Sequence, residues 1–130
     1  MKEEVKEVIG ELFYLVSGTG NLDIFRILID KVPSFLSTSF EKNEKFRRTP
    51  LMFAIRNHNN ELLYQLLEEG CKHSKSDSTE NTLLHYAAAY GNVEAILLFR
   101  NIIEQSPNKR GYYPWEFAIM KGHLGCAKLL

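Results

Sequence analysis

The chain has 130 residues, of which 45% are hydrophobic and 25% charged, as expected for one soluble globular domain. Its 16 basic and 16 acidic residues cancel, so the net charge gives no argument for binding to nucleic acid or to a membrane surface. No apolar run reaches the roughly 20 residues of a membrane span, and the acidic N-terminal stretch is unlike a signal peptide. We therefore expect no membrane insertion.

The two cysteines, Cys71 and Cys126, lie far apart in the sequence. A secreted domain that depends on disulfides usually carries more cysteines. We expect two free thiols in a reducing compartment, which places the protein in the cytoplasm or nucleus. An effector exported by another route is the alternative.

The first predicted element is an amphipathic helix at the N-terminus. Its apolar residues follow helical spacing while polar residues cover the rest of the surface, and they are Val5, Val8, Ile9, Leu12, Phe13 and Val16. This pattern favours a helix that caps one end of the molecule. A Gly-Asn-Leu-Asp turn at 20–23 then leads into a second apolar segment at 24–29.

Three later segments repeat one pattern. Residues 49–54, 82–87 and 113–118 read Thr-Pro-Leu-Met-Phe-Ala, Thr-Leu-Leu-His-Tyr-Ala and Tyr-Pro-Trp-Glu-Phe-Ala, so the period is 33 and then 31 residues. Four residues after each alanine a polar turn begins, and each turn leads into a second apolar segment. Apolar spacing of i, i+3 and i+4 predicts two short helices in each unit.

The chemistry of these segments agrees with helix pairs. Threonine suits a helix N-cap, proline suits the first helical position, and glycine permits a left-handed turn between the helices. The residues that we assign to this framework are Thr49, Pro50, Ala54, Thr82, His85, Ala87, Gly91, Pro114, Ala118 and Gly122. Neither helix of a pair can bury its apolar face alone, so neighbouring units must supply the core. We expect Leu66, Phe99, Trp115 and Phe117 in that core or at the contacts between repeats.

The repeated unit resembles the ankyrin repeat, whose period is about 33 residues and whose signature is Thr-Pro-Leu-His-x-Ala. The copies at Thr49 and Thr82 each keep four of the five fixed positions, and the copy at Tyr113 keeps Pro114 and Ala118. The resemblance implies an all-α repeat solenoid in which helix-turn-helix units are linked by β-hairpin-like finger loops. It also implies that His85 hydrogen-bonds with Thr82 and with the backbone of the neighbouring unit.

We expect a single ankyrin repeat domain over residues 1–130. Its units span approximately 1–32, 46–71, 79–104 and 110–130, with an insertion within 32–48. Since the sequence stops inside a predicted second helix without a polar capping repeat, we also expect a fragment of a longer protein.

Residue types that active sites use occur at Thr82, His85 and Tyr86. The positions equivalent to His85 hold Met52 and Glu116, an exchange that a framework tolerates and a repeated catalytic site does not. Possible metal ligands are Cys71, His73, His85, His123 and Cys126, but they form a single close pair where structural zinc sites usually show two. Neither a phosphate-binding loop nor a nucleophile elbow is present. We predict no catalytic residue, no cofactor and no metal.

The finger loops carry most of the candidate binding chemistry. Eight basic residues lie on or near three successive fingers, and they are Lys42, Lys45, Arg47, Arg48, Lys72, Lys75, Lys109 and Arg110. Four acidic residues on the same loops, Glu41, Glu44, Asp77 and Glu80, offset this charge only in part. Further acidic residues lie on or near the predicted second helices, and they are Glu61, Glu68, Glu69, Glu94 and Glu104. Such a separation would steer an acidic partner to the fingers. In the finger before Thr82, Glu80 replaces the glycine usual in the family, so we expect that hairpin to be distorted.

We predict non-catalytic protein–protein recognition of an acidic segment or a flat protein face. The candidate contact residues are Arg48, Arg56, Asn81, Tyr90, Arg110, Tyr112, Met120 and Lys121. The alternative is a regulatory or targeting segment of a larger multidomain enzyme or channel. Nucleic acid is the least favoured partner, and the sequence leaves the oligomeric state open.

Overall fold

The computed structural model describes residues 22–31 and 47–130. Within these ranges there are seven α-helices and no strand: α1 (Leu22–Lys31), α2 (Pro50–Arg56), α3 (Asn60–Glu68), α4 (Leu83–Tyr90), α5 (Val93–Phe99), α6 (Pro114–Met120) and α7 (Leu124–Leu129). The predicted N-terminal capping helix and most of the predicted insertion within 32–48 lie outside the described residues. None of the seven helices is long and apolar enough to cross a bilayer.

The helices form pairs that stack along one direction. In each unit a first helix packs on the second helix that follows it, giving the pairs α2–α3, α4–α5 and α6–α7. The first helices α2, α4 and α6 pack side by side, and α5 packs on α7. The prediction of an all-α repeat solenoid is therefore confirmed over these three units.

The turn inside each pair has a left-handed residue at the same position. Gly91 and Gly122 have φ values of 69° and 78°, as predicted for the framework glycines. His58 occupies this position in the first described pair and also adopts a positive φ, of 55°. The residue that follows caps the second helix in two of the pairs, since the side chains of Asn59 and Asn92 accept hydrogen bonds from the backbone three residues ahead.

The core lies between neighbouring units, and one prediction about it was wrong. Leu66 and Phe99 are buried as predicted, whereas Trp115 is 44% exposed and Phe117 is half-buried. In the preceding units the position of Trp115 is held by Leu51 and Leu84, which are almost completely buried. Leu84 lies on α4, which packs against a first helix on each side, α2 and α6, whereas α6 has a first-helix neighbour on one side only among the described residues.

The finger loops keep a hairpin-like turn although neither contains a strand. In the first, the backbone N–H of Asp77 donates to the Asn81 carbonyl and that of Glu80 donates to the Asp77 carbonyl, at 3.1 and 3.0 Å. The next finger repeats both hydrogen bonds between Asn108, Gly111 and Tyr112 at 2.9 Å. The expected distortion at Glu80 was wrong, because this residue takes the left-handed conformation itself, with a φ of 62°.

Candidate functional site

Thr82, His85 and Tyr86 lie at the start of α4, where the helix cap repeats a pattern that is also found in the neighbouring units. The backbone N–H of Thr82 donates to Nδ1 of His85 at 3.0 Å. In the preceding unit the N–H of Thr49 donates to the Met52 sulfur at 3.3 Å, and in the next unit the N–H of Tyr113 donates to a Glu116 carboxylate oxygen at 3.1 Å. Three unlike acceptors therefore satisfy the same backbone N–H group, which the helix itself leaves without a partner.

His85 also joins its unit to the next one. Its Nε2–H donates to the Tyr112 carbonyl at 2.8 Å, and its ring meets the Phe117 ring edge-on at a centroid distance of 5.4 Å. Because a carbonyl can only accept and the Thr82 N–H can only donate, the imidazole is neutral with its proton on Nε2. Burial lowers the pKa of His85, and the hydrogen bond to Tyr112 offsets this only in part. Both ring nitrogens are thus occupied by structural hydrogen bonds.

Other polar side chains cross between units in the same way. The Asn92 amide donates to the Ile55 carbonyl at 3.1 Å, and at the equivalent place one unit later the His123 Nδ1–H donates to the Ala88 carbonyl at 3.1 Å. His58, on the turn of its own unit, donates to the carbonyl of Tyr90 at 2.8 Å. These hydrogen bonds fix the register between units that hydrophobic contacts alone would leave free to slide.

The carboxylate of Asp77 organises the finger before α4. One of its oxygens accepts from the backbone N–H groups of Thr79 and Asn81, both at 2.9 Å. The other accepts from the Asn81 amide at 3.1 Å and from the Tyr86 hydroxyl at 2.7 Å. Burial and the Asp77 carboxylate raise the pKa of Tyr86. This buried acidic group is therefore committed to the fold. Asn108 plays the corresponding part in the next finger.

Three of the eight candidate contact residues have structural roles that the sequence did not reveal. The side-chain amide of Asn81 donates to Asp77 and accepts from Asn108 at 2.8 Å, so it ties two fingers together. Arg48 is half-buried and its side chain hydrogen-bonds Tyr86. Tyr112 gives its carbonyl to His85, and its ring packs on Phe117. In the sequence the three residues share one feature, their position. Each directly precedes one of the repeated segments at 49–54, 82–87 and 113–118.

Four other candidates lie at the C-terminal ends of the first helices. The Arg56 guanidinium lies over the Tyr90 ring at 5.8 Å from its centroid, a cation–π geometry that joins α2 to α4. Met120 and Lys121 occupy the corresponding place on α6, and both are exposed. We call Arg56, Tyr90, Met120 and Lys121 the inner strip.

Arg110 lies apart from the inner strip, on the finger before α6, next to Lys109. The first helices have seven or eight residues, which at 1.5 Å per residue separates their two ends by about 12 Å. The candidates therefore form two groups along one side of the stack. We call Lys109 and Arg110 the finger pair.

The basic side chains of the finger pair and the inner strip include three that are not paired internally. Over 22–31 and 47–130, Lys109, Arg110 and Lys121 make no ion pair. The acidic groups of the same segments do not pair with them either: Asp77 and Glu116 accept hydrogen bonds from neutral donors, and Glu80 is exposed. The cations therefore remain available to an external acidic group.

The cysteines and histidines do not converge. Cys71 and Cys126 are buried and form no disulfide, and burial raises the pKa of the Cys71 thiol to about 11, which keeps it protonated at neutral pH. In the part of the chain that the structure describes, no group of three or more His, Cys, Asp or Glu side chains is arranged to hold a metal ion.

Stacked helix pairs, a repeated helix cap and hydrogen bonds from each unit to the next define a helical repeat protein. A family model for ankyrin repeats matches three copies over residues 51–130, which is more than half of the chain. The chain belongs to the ankyrin repeat family. Members of this class serve generally as protein-interaction modules, with the repeats stacked into an extended binding surface.

Two curated proteins are similar to parts of the chain. A poly [ADP-ribose] polymerase tankyrase of Caenorhabditis elegans is 43% identical over 53 residues, which is 38% of this chain and 2% of that protein. The E3 ubiquitin-protein ligase XBAT33 of Arabidopsis thaliana is 32% identical over 85 residues, or 63% of this chain and 17% of that protein. The chain thus spans less than a fifth of the length of either relative.

Proposed function

We propose that this chain recognises an acidic segment of a partner protein through the inner strip and the finger pair, without catalysing a reaction. The observation that carries the proposal is the set of three cations, Lys109, Arg110 and Lys121, that have no ion pair among the described residues. A binding surface keeps such charges unpaired so that they attract and orient a partner of opposite sign.

The inner strip also offers apolar anchors beside the charges. Tyr90 and Met120 are 40% and 54% exposed, and Tyr90 is held in place by its stack on Tyr86, with ring centroids 6.4 Å apart. A ring that is already ordered loses little conformational entropy when a partner covers it. Aromatic and methionine side chains are enriched at protein interfaces. We expect a ligand in which an apolar side chain lies near acidic residues.

A selection from random peptides tests this proposal and requires no identified partner. Peptides displayed on phage are selected against the 130-residue chain, and the recovered peptides are then measured against Arg110→Glu and Lys121→Glu. We expect enrichment of Asp and Glu beside an apolar residue. Each charge reversal should weaken binding by up to roughly fivefold, since an exposed charge pair is worth up to about 1 kcal/mol.

Lys128→Glu is the matched control, because Lys128 is exposed on the second helix α7, away from the inner strip. It should change the affinity less than twofold. The proposal of an acidic partner fails if the recovered peptides are not enriched in Asp and Glu. It also fails if they bind all three variants equally.

A second candidate function has support from the relatives. Both similar proteins are enzymes by name, and the chain matches a small part of each. On this alternative the chain is the regulatory or targeting segment of a larger multidomain enzyme. The coding sequence on either side of residues 1–130 distinguishes the two, since a catalytic domain in the same reading frame supports the alternative.

A further inference from the structure

The outer side of the stack, formed by the second helices, carries exposed apolar residues on three successive units. Tyr64 on α3, Val93 and Leu97 on α5, and Leu124 on α7 are 42%, 45%, 48% and 62% exposed. We call these four residues the outer stripe. Single exposed apolar residues are ordinary on protein surfaces, whereas neighbouring ones on adjacent helices indicate an interaction site.

Hydrogen bonds join the α3 end of the outer stripe to α5. The Tyr64 hydroxyl donates to a Glu94 carboxylate oxygen at 3.2 Å, and the Asn60 amide donates to the other oxygen at 2.6 Å. Glu94 lies on α5 between Val93 and Leu97, which are one helical turn apart and share a face. The stripe therefore continues from α3 onto α5.

The stripe extends in the same way onto α7. Leu124 holds the position in its helix that Val93 holds in α5, one residue after the N-cap. The two helices also pack on each other. The four apolar side chains thus cross three second helices in order.

Acidic groups flank the outer stripe on α3 and α5, whereas its α7 end carries the basic Lys128 one turn after Leu124. Glu61 and Glu94 occupy equivalent positions in the first turns of α3 and α5. The hydrogen-bond donors to Glu94 are an amide and a hydroxyl, both neutral, so its negative charge is not cancelled. Glu61, and Glu68 two turns further along α3, make no ion pair with any described residue. An apolar row with negative charge beside it selects a ligand that combines apolar and basic residues.

We infer that the outer stripe is a second docking surface, which binds an amphipathic helix with a basic flank from a partner protein. α5 packs on α7, a contact that places helix axes 8–10 Å apart, and α3 is joined to α5 by the hydrogen bonds to Glu94. A helix that crosses all three must therefore span at least roughly 16–20 Å, or about 11–13 residues. Its apolar face covers the stripe, and its Lys or Arg residues face Glu61 and Glu94. An anionic membrane is disfavoured because those carboxylates would repel it.

Synthetic helical peptides test this inference. The probe is a 14-residue peptide with leucines on one face and lysines on the other, and its control replaces every lysine by glutamate. Binding to the 130-residue chain is measured by fluorescence anisotropy at moderate salt. We expect the Leu/Lys peptide to bind at least tenfold more tightly than the Leu/Glu peptide, because only the former complements Glu61 and Glu94.

Substitutions then locate the contact on the protein. Leu97→Gln should weaken binding of the Leu/Lys peptide at least fivefold. Glu61→Lys should also weaken it, because the new lysine repels the lysines of the peptide. Ile102→Gln is the matched control, since Ile102 is 56% exposed and lies beyond the end of α5, outside the stripe. Its affinity should change less than twofold. Lys121→Glu, on the inner strip, should not weaken binding of this peptide.

Two results would overturn the inference. Equal binding of both peptides, or equal losses in Leu97→Gln and Ile102→Gln, would show general adhesion instead of docking on the stripe. Self-association of the chain in sedimentation that disappears in Leu97→Gln would assign the stripe to a second copy. Circular dichroism of each variant checks that the fold is retained, as expected for changes at exposed positions.

Discussion

Replacing Gly91 by alanine tests whether the turn between α4 and α5 is part of the contact between units. Gly91 has a φ of 69°, and a Cβ added there would lie 2.9 Å from Cδ2 of His123 in the next unit. Left-handed backbone costs an alanine about 1 kcal/mol. The displaced ring would also lose its hydrogen bond to the Ala88 carbonyl, worth about 1 kcal/mol more. We therefore expect Gly91→Ala to lower the free energy of unfolding by about 2 kcal/mol.

Gly122→Ala is the control, because Gly122 has a φ of 78° but a Cβ there would meet no atom within 4 Å. It should cost only the backbone contribution of about 1 kcal/mol. Urea unfolding followed by circular dichroism measures both variants, and His123→Ala together with the Gly91→Ala/His123→Ala double variant completes the double-mutant cycle. The extra cost at Gly91 should disappear without the His123 ring. Equal losses in the two glycine variants, or an undiminished cost in the double variant, would refute the reasoning.

Two further predictions concern the finger and the cap. Glu80→Gly should raise the free energy of unfolding by up to about 1 kcal/mol in the same urea assay. Glu80 has a φ of 62°, and glycine adopts this left-handed conformation without the strain that a Cβ causes. A lower free energy of unfolding would contradict this prediction. Burial lowers the pKa of His85 below its ordinary value, so the unfolded chain takes up that proton first. Stability is then fully present above about pH 6.5 and falls as the pH drops below it, by at most about 1.4 kcal/mol per pH unit. Urea denaturation at several pH values between 7.5 and 5 should show this loss of stability. In His85→Gln the free energy of unfolding should depend less on pH over the same range.

The sequence predicts the helix pairs well because their signals are local. The period of 33 and 31 residues, the apolar spacing and the prolines at 50 and 114 each act within one unit. Every described helix of the three later units falls inside a predicted unit. Trp115 shows the limit of this approach, because its burial depends on a neighbour that its own sequence pattern does not describe.

The candidate contact residues also divide into those that the sequence placed correctly and those whose contacts only the structure shows. Tyr90, Met120 and Lys121 are exposed where the repeat register places them. The sequence predicted Asn81 and Arg48 as contact residues in the same way. In the structure Asn81 instead hydrogen-bonds Asp77 and Asn108 of the next finger, and Arg48 hydrogen-bonds Tyr86. A side chain that can bind a partner can equally bind its own fold, and the choice depends on which donors and acceptors lie nearby in space.

The sequence by itself determined that Thr82 and His85 belong to a repeated framework, since Met52 and Glu116 take the place of the histidine in other copies. Only the tertiary structure decided how that framework works. Three chemically unlike side chains accept the same backbone hydrogen bond, and of these three it is His85 that reaches the Tyr112 carbonyl of the next unit. The physical reason is that a helix start needs some acceptor wherever it occurs, whereas a bridge between units needs one at a fixed distance across the interface.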